Sequence, residues 1–224
     1  MSTNGASSPA TKTADGPLAV LQRIRRALPP RAVVGERCEM CTAEIPESHS
    51  HLVDLEHRSL ACVCRPCYLL FAPEGAGAGR FRAVPERYLR IVDFRMAPAE
   101  WDRLQIPVGV AFFFHNSIVG ETAAFYPSPA GATESLLPLD AWETVAGANP
   151  VVRTMAPDVE ALLVRSDRSG TECFVVPIDA CYELVGLLRK NWKGFDGGQD
   201  AHEQLDGFFA RLAGRARDVG ADGE

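Results

Sequence analysis

Two Cys-x-x-Cys pairs, Cys38/Cys41 and Cys64/Cys67, stand 22 residues apart in this chain. Two residues between thiols let the backbone curl so that both sulfurs point at one ion. Two such turns supply a tetrahedral cage of four sulfurs, the donor set of a structural Zn²⁺ site with bonds of about 2.3 Å. Spacings near this one are read as metal clips, so residues 36–72 are expected to form a small zinc-ribbon-like module with Cys38, Cys41, Cys64 and Cys67 as ligands. The bland alternative is four reduced, buried cysteines. Iron also suits four thiolates. However, rubredoxin-type turns carry a glycine after the second cysteine, and here Thr42 and Tyr68 take those places.

Three further residues in the module offer ligand chemistry. Cys62 lies two residues before Cys64. It can replace one of the four ligands, stand beside the site as a redox thiol, or join His49 and His51 in a second, mixed nitrogen and sulfur site. The plainer reading is two polar hairpin histidines and a half-buried thiol. His57 reads as an exposed turn residue.

The rest of the chain mixes short strands with helices. The segments 108–114 and 122–126 flank a polar turn and are expected to pair, as are 159–164 and 173–176 around Asp167 to Gly170. Helices are expected over 98–104, over 139–146, from an Asp179 cap onward, and around Leu205, Phe208, Phe209 and Leu212. Hairpins separated by helices predict an α+β fold with an antiparallel sheet over 80–212. Residues 1–15 read as a disordered tail, 16–35 as a helix and linker opened by Pro17, and 213–224 as a flexible tail. The segment Pro127 to Ser135 reads as the one long polar loop. With Tyr126, its residues Ser128, Thr133, Glu134 and Ser135 are candidates for a pocket or a docking surface over 126–137. Cys173, Cys181, Trp101, Trp142 and Trp192 read as core residues.

The charge balance is −6 with 29 acidic residues, against the basic surface a general nucleic-acid binder needs. Arg23, Arg25, Arg26, Arg31 and Arg37 form one local basic stretch, either a solvated helix face or a surface for an acidic protein. No apolar run is long enough to span a membrane and the first residues carry no secretory pattern. A cytoplasmic protein with reduced thiols is therefore expected. No P-loop, His-Glu-x-x-His or Gly-x-Ser-x-Gly motif is present, so a non-enzymatic role is favoured.

Several phrases together resemble a known family. They are Arg-Cys-Glu-Met-Cys at 37–41, His-Ser-His-Leu-Val-Asp-Leu at 49–55 and Ala-Cys-Val-Cys-Arg-Pro-Cys-Tyr-Leu-Leu-Phe at 61–71. Tyr-Pro-Ser-Pro-Ala-Gly-Ala-Thr-Glu-Ser-Leu-Leu at 126–137 and Val-Pro-Ile-Asp-Ala-Cys-Tyr-Glu-Leu-Val-Gly-Leu at 176–187 extend the match. The chain resembles, over roughly 36–212, an actinobacterial family of unknown function encoded beside [NiFe] hydrogenase genes. The resemblance implies association with hydrogenase biogenesis or electron transfer, and with the four-cysteine clip the favoured reading is a zinc-bearing accessory protein that docks on a hydrogenase subunit or maturation factor. The alternatives it leaves are a rubredoxin-like electron-transfer partner and an enzyme with a pocket at 126–137.

Overall fold

The computed structural model describes residues 35–106, 108–135, 139–167, 170–193 and 198–223. The helix expected after Pro17 and four of the five clustered arginines lie outside them. Residues Glu36–Glu224 group into one compact unit.

Two sheets organise that unit. The smaller has the order β2-β1-β3, from β1 (Ser50–Asp54), β2 (Ser59–Val63) and β3 (Phe81–Ala83), all antiparallel. Helix α1 (Arg65–Phe71) follows β2 directly, with Pro66 in its first turn where no amide partner is needed. The larger sheet has the order β10-β4-β9-β8-β5-β6-β7. Its strands are β4 (Leu89–Ile91), β5 (Val110–Asn116), β6 (Glu121–Ser128), β7 (Gly131–Ser135), β8 (Glu160–Asp167), β9 (Gly170–Pro177) and β10 (Arg217–Val219). Every pairing is antiparallel except β10 with β4. The α+β class with an antiparallel-rich sheet is as expected, and both long hairpins form where the apolar runs placed them.

Helices cover both faces of the large sheet, which explains why its central strands are continuously apolar rather than alternating. On one face, Phe113, Leu162, Val164 and Val175 pack under α2 (Pro98–Arg103), α3 (Leu139–Ala148) and the short 3₁₀ turn Pro150–Thr154. Trp142 stacks on Phe113 at 5.3 Å between ring centres. On the other face, Phe112, Leu163, Phe174 and Val176 meet α4 (Ile178–Asn191) and α5 (Gly198–Arg215) through Leu184, Leu188, Phe208 and Phe209. Cys173 and Cys181 lie fully inside these two layers, and burial pushes both thiols well above their ordinary range. They are inert core residues, as their sequence positions suggested. At the start of β5 a side chain at Gly109 would meet the Ser166 carbonyl oxygen at 2.7 Å, so only glycine fits.

Three expectations need correction. Residues 126–135 are not a loop: β6 and β7 pair from Ala124↔Ser135 to Ser128↔Gly131, leaving a two-residue turn at Pro129-Ala130. Pro127 is tolerated because β6 pairs with β5 only over Glu121–Phe125, so no ladder bond on that side is lost. Asp179 does not cap α4; Pro177 holds the cap position and Asp179 lies inside the first turn. Residues 213–224 were expected as a flexible tail, but β10 adds a parallel edge strand there and Ala221 is fully buried.

Candidate metal centre

The four expected sulfurs converge. The Sγ atoms of Cys38, Cys41, Cys64 and Cys67 all lie within 4.8 Å of one another, and those of Cys41 and Cys64 are 3.6 Å apart. A tetrahedron with bonds of about 2.3 Å has edges of about 3.8 Å, so the donor set fits one tetrahedral ion.

Local chemistry makes the cage. In the first turn the Thr42 amide donates to the Cys38 carbonyl and the Cys38 amide to the Ala43 carbonyl, both at 2.8 Å. Thr42 takes a left-handed conformation, φ 63°, in the place where glycine is absent from the motif. The second turn is the junction of β2 and α1. The strand ends at Val63, and Cys64 holds the helix cap position with Cys67 one turn on. Cys64 therefore leaves the strand and faces a different direction from Cys62, which explains why Cys64 rather than Cys62 joins the cage.

The thiols divide in their proton affinity. Burial alone would raise Cys38. The amides of Cys64, Cys41 and Met40 point at its sulfur and outweigh that, taking it down to about 6. Burial and the neighbouring thiols push Cys67 up to about 12. A bound dication would offset the cost of bringing thiolates together here, since metal ligation favours the deprotonated sulfur.

His49, His51 and Cys62 form a second convergence, with one donor atom from each lying within 4.8 Å of the others. Burial first, then Glu39 and Glu36, push the Cys62 thiol up. Replacing Cys62 by Ser is expected to leave the ion in the four-cysteine cage. Co²⁺ substitution tests this: an unaltered tetrathiolate spectrum is expected, and its loss would make Cys62 a ligand of that ion.

A third cluster, Asp54, Glu56 and His57, is already occupied by a cation of the protein itself. Arg80 donates to both Asp54 carboxylate oxygens, at 3.1 and 2.5 Å, and approaches Glu56 at 3.3 Å. The Arg80 hydrogen bonds, opposed by burial and aided by His57, hold the Asp54 carboxyl well below the usual carboxylate range. A depressed folded value means stability that is present above the unfolded pKa of about 3.9 and is lost as pH falls toward the folded one. The stability gap between wild type and Asp54→Asn should be about 1–2 kcal/mol at pH 7, since Arg80 is partly solvated. That gap should narrow below about pH 3.9. Denaturant titrations at both pH values check it.

The other candidates are split. Ser128 and Thr133 are spent on the turn, where the Thr133 hydroxyl donates to Ser128 Oγ at 2.8 Å. Tyr126 packs against the core face that holds Phe113. Only Glu134 and Ser135 line an open groove of about 780 Å³. One wall is the β1–β2 hairpin, with Val53, Leu55 and Leu60; the other carries Phe114, Phe125 and Tyr182. Sequence reading placed Glu134 and Ser135 at a pocket but missed the opposite walls of this groove, because they come from segments more than 50 residues apart. The exposed pair Ile118 and Val119 in a polar turn was the available signal.

Fold and clip together define an α+β protein built behind a pair of turns whose four cysteines are positioned to hold a metal ion. The chain belongs to the family of unknown function DUF5947, whose family model matches residues 37–216. No curated protein and no solved structure gave a match. Among the described residues no helix is long and apolar enough to cross a membrane.

Proposed function

We propose that this protein is a cytoplasmic zinc-bearing accessory factor that docks a protein partner, and that the ion holds one wall of the docking groove in place. The supporting observation is connectivity. The hairpin that forms the groove wall runs directly from β2 into Cys64 and Cys67. The hairpin's own core is small: Ile45, Leu52, Ala61 and Val63 with the two buried ligands Cys38 and Cys67. Such a module needs its metal to stay ordered.

The groove suits a protein segment. Ile118 and Val119 are more than half exposed at its rim, and Tyr182 is half exposed. Exposed apolar side chains gathered at one concave place mark interaction sites. The partner class, a [NiFe] hydrogenase subunit or maturation protein, rests on the family resemblance alone. Zinc is favoured over iron because neither turn carries the rubredoxin-type glycine.

The test is affinity capture of the tagged full chain from cells that express a [NiFe] hydrogenase, with metal analysis of the bait. Colourless bait containing zinc and enrichment of a hydrogenase-related protein are expected, and Ile118→Arg with Val119→Arg should abolish the enrichment. A red, iron-containing bait would instead favour electron transfer. Absence of any hydrogenase-related protein from the wild-type capture would refute the partner assignment.

A further inference from the structure

The structure assigns a second metal site, separate from the four-cysteine cage, with His49, His51 and Cys62 as ligands of a Zn²⁺-class ion and a fourth position open to solvent.

Strand register brings the ligands together. His51 pairs directly across from Cys62 in the β1–β2 ladder, which puts both side chains on one face. His49 lies two residues before His51 and its ring sits 4.7 Å from the His51 ring, centre to centre. Leu52 and Val63 point the other way, into the small core.

Hydrogen bonding then fixes which nitrogens are free. His49 Nδ1 is 2.9 Å from the Pro46 carbonyl oxygen. A carbonyl only accepts, so Nδ1 carries the proton and Nε2 of the neutral ring is a bare lone pair. That Nε2 is buried with no hydrogen-bond partner, in a side chain only 7% exposed. Leaving such an acceptor unmet is costly, and a bound ion would satisfy it. His51 Nδ1 is 2.9 Å from Asp179 Oδ2 and donates to it, which leaves its Nε2 as the lone pair too. Two imidazoles, each with Nδ1 held by a carbonyl or carboxylate and Nε2 left as the lone pair, match the arrangement that orients histidines for a metal. The Cys62 sulfur completes a three-donor face.

The charges agree. One thiolate and two neutral rings leave a dication with one positive charge. Asp179 stands behind His51, and Glu36 stands 3.4 Å from His49 Nδ1. Three protein donors with a fourth place left over is the pattern of a reactive or exchangeable zinc site rather than a closed structural one. His51 is 23% exposed and Cys62 is partly exposed, so water or an exogenous donor reaches the ion. Asp179 belongs to α4 of the large domain. The ion therefore links the β1–β2 hairpin to that helix from the side opposite the small core.

Equilibrium loading of the full chain with Co²⁺ and with Zn²⁺, followed by metal analysis, tests the assignment. Wild type should retain two equivalents, and His51→Ala and Cys62→Ser one each. The tetrathiolate cobalt spectrum should persist in both variants, which also shows that the clip is folded. Asp179→Asn should weaken the second equivalent about 10–100-fold without removing the first. Imidazole should perturb only the second cobalt's spectrum. A single equivalent in wild type, or two equivalents in Cys62→Ser, would overturn the site. The near-isosteric Cys62→Ser decides the matter if His51→Ala fails to fold. No spectral response to imidazole would overturn the open position.

Discussion

Cys64→Ser is expected to release the ion from the four-cysteine cage and to make residues 36–71 the first segment cut by protease, while residues 89–219 stay protected. Cys64 has two roles, supplying one thiolate and presenting its amide to the Cys38 sulfur. Serine keeps the amide and loses the soft donor. Binding of a tetrathiolate zinc is worth on the order of 10 kcal/mol to a small module. The six-residue core of that module, two of whose members are themselves ligands, cannot replace this. The large sheet is expected to stay folded because its two apolar layers are built from buried residues outside the small core, and the hairpin's Val53 and Leu60 pack on one of them only as partly buried neighbours. Limited proteolysis with mass analysis reads the outcome. The same pattern should follow chelation of the wild type, and global unfolding of either sample would contradict the separation.

The second large effect is expected at Glu160, which is 2% exposed and sits at the start of β8. Arg87 grips it with two bonds, Nε to Oε1 at 2.7 Å and Nη2 to Oε2 at 2.5 Å, and the Ala156 amide adds a third at 2.7 Å. Arg87 also donates to the Thr154 carbonyl at 2.9 Å. This pair ties the segment between the two sheets to the 3₁₀ turn before β8. Glu160→Ala leaves a half-buried guanidinium and a buried amide without their acceptor, so a loss of about 3–5 kcal/mol is expected. For a chain of this size that corresponds to a fall in Tm of roughly 6–20 °C. Replacing both partners with apolar residues, Arg87→Met with Glu160→Leu, should recover much of the loss because no charge is then stranded. A change below about 1 kcal/mol in Glu160→Ala would show the pair to be solvated in solution.

How far these features could be read from residues alone depended on the distance over which their partners act. The four-cysteine cage was legible because each turn is local and the chemistry of paired thiols is specific. The long hairpins were legible from runs such as Val110 to Phe114, whose burial on both faces follows from helices that the 3.6-residue periodicity also showed. The proximity of His49, His51 and Cys62 was legible in part, through their two-residue spacings in paired strands. Asp179 was not, since its contact with His51 spans 128 residues; its place near a helix start suggested a cap instead. The β6–β7 hairpin was hidden by Pro127 and Pro129, which break strands unless a ladder partner is missing, as it is there. β10 has three residues and no alternation to detect. Its identity comes wholly from the edge of β4 that it covers.

Zinc-edge X-ray absorption on the Cys62→Ser variant, loaded with one equivalent of zinc, tests the central claim most directly, because that variant isolates the clip. Four sulfur neighbours at about 2.3 Å and no nitrogen or oxygen in the first shell are expected. A shell of mixed nitrogen and sulfur, or fewer than four sulfurs, would show that Cys38, Cys41, Cys64 and Cys67 do not close around one ion.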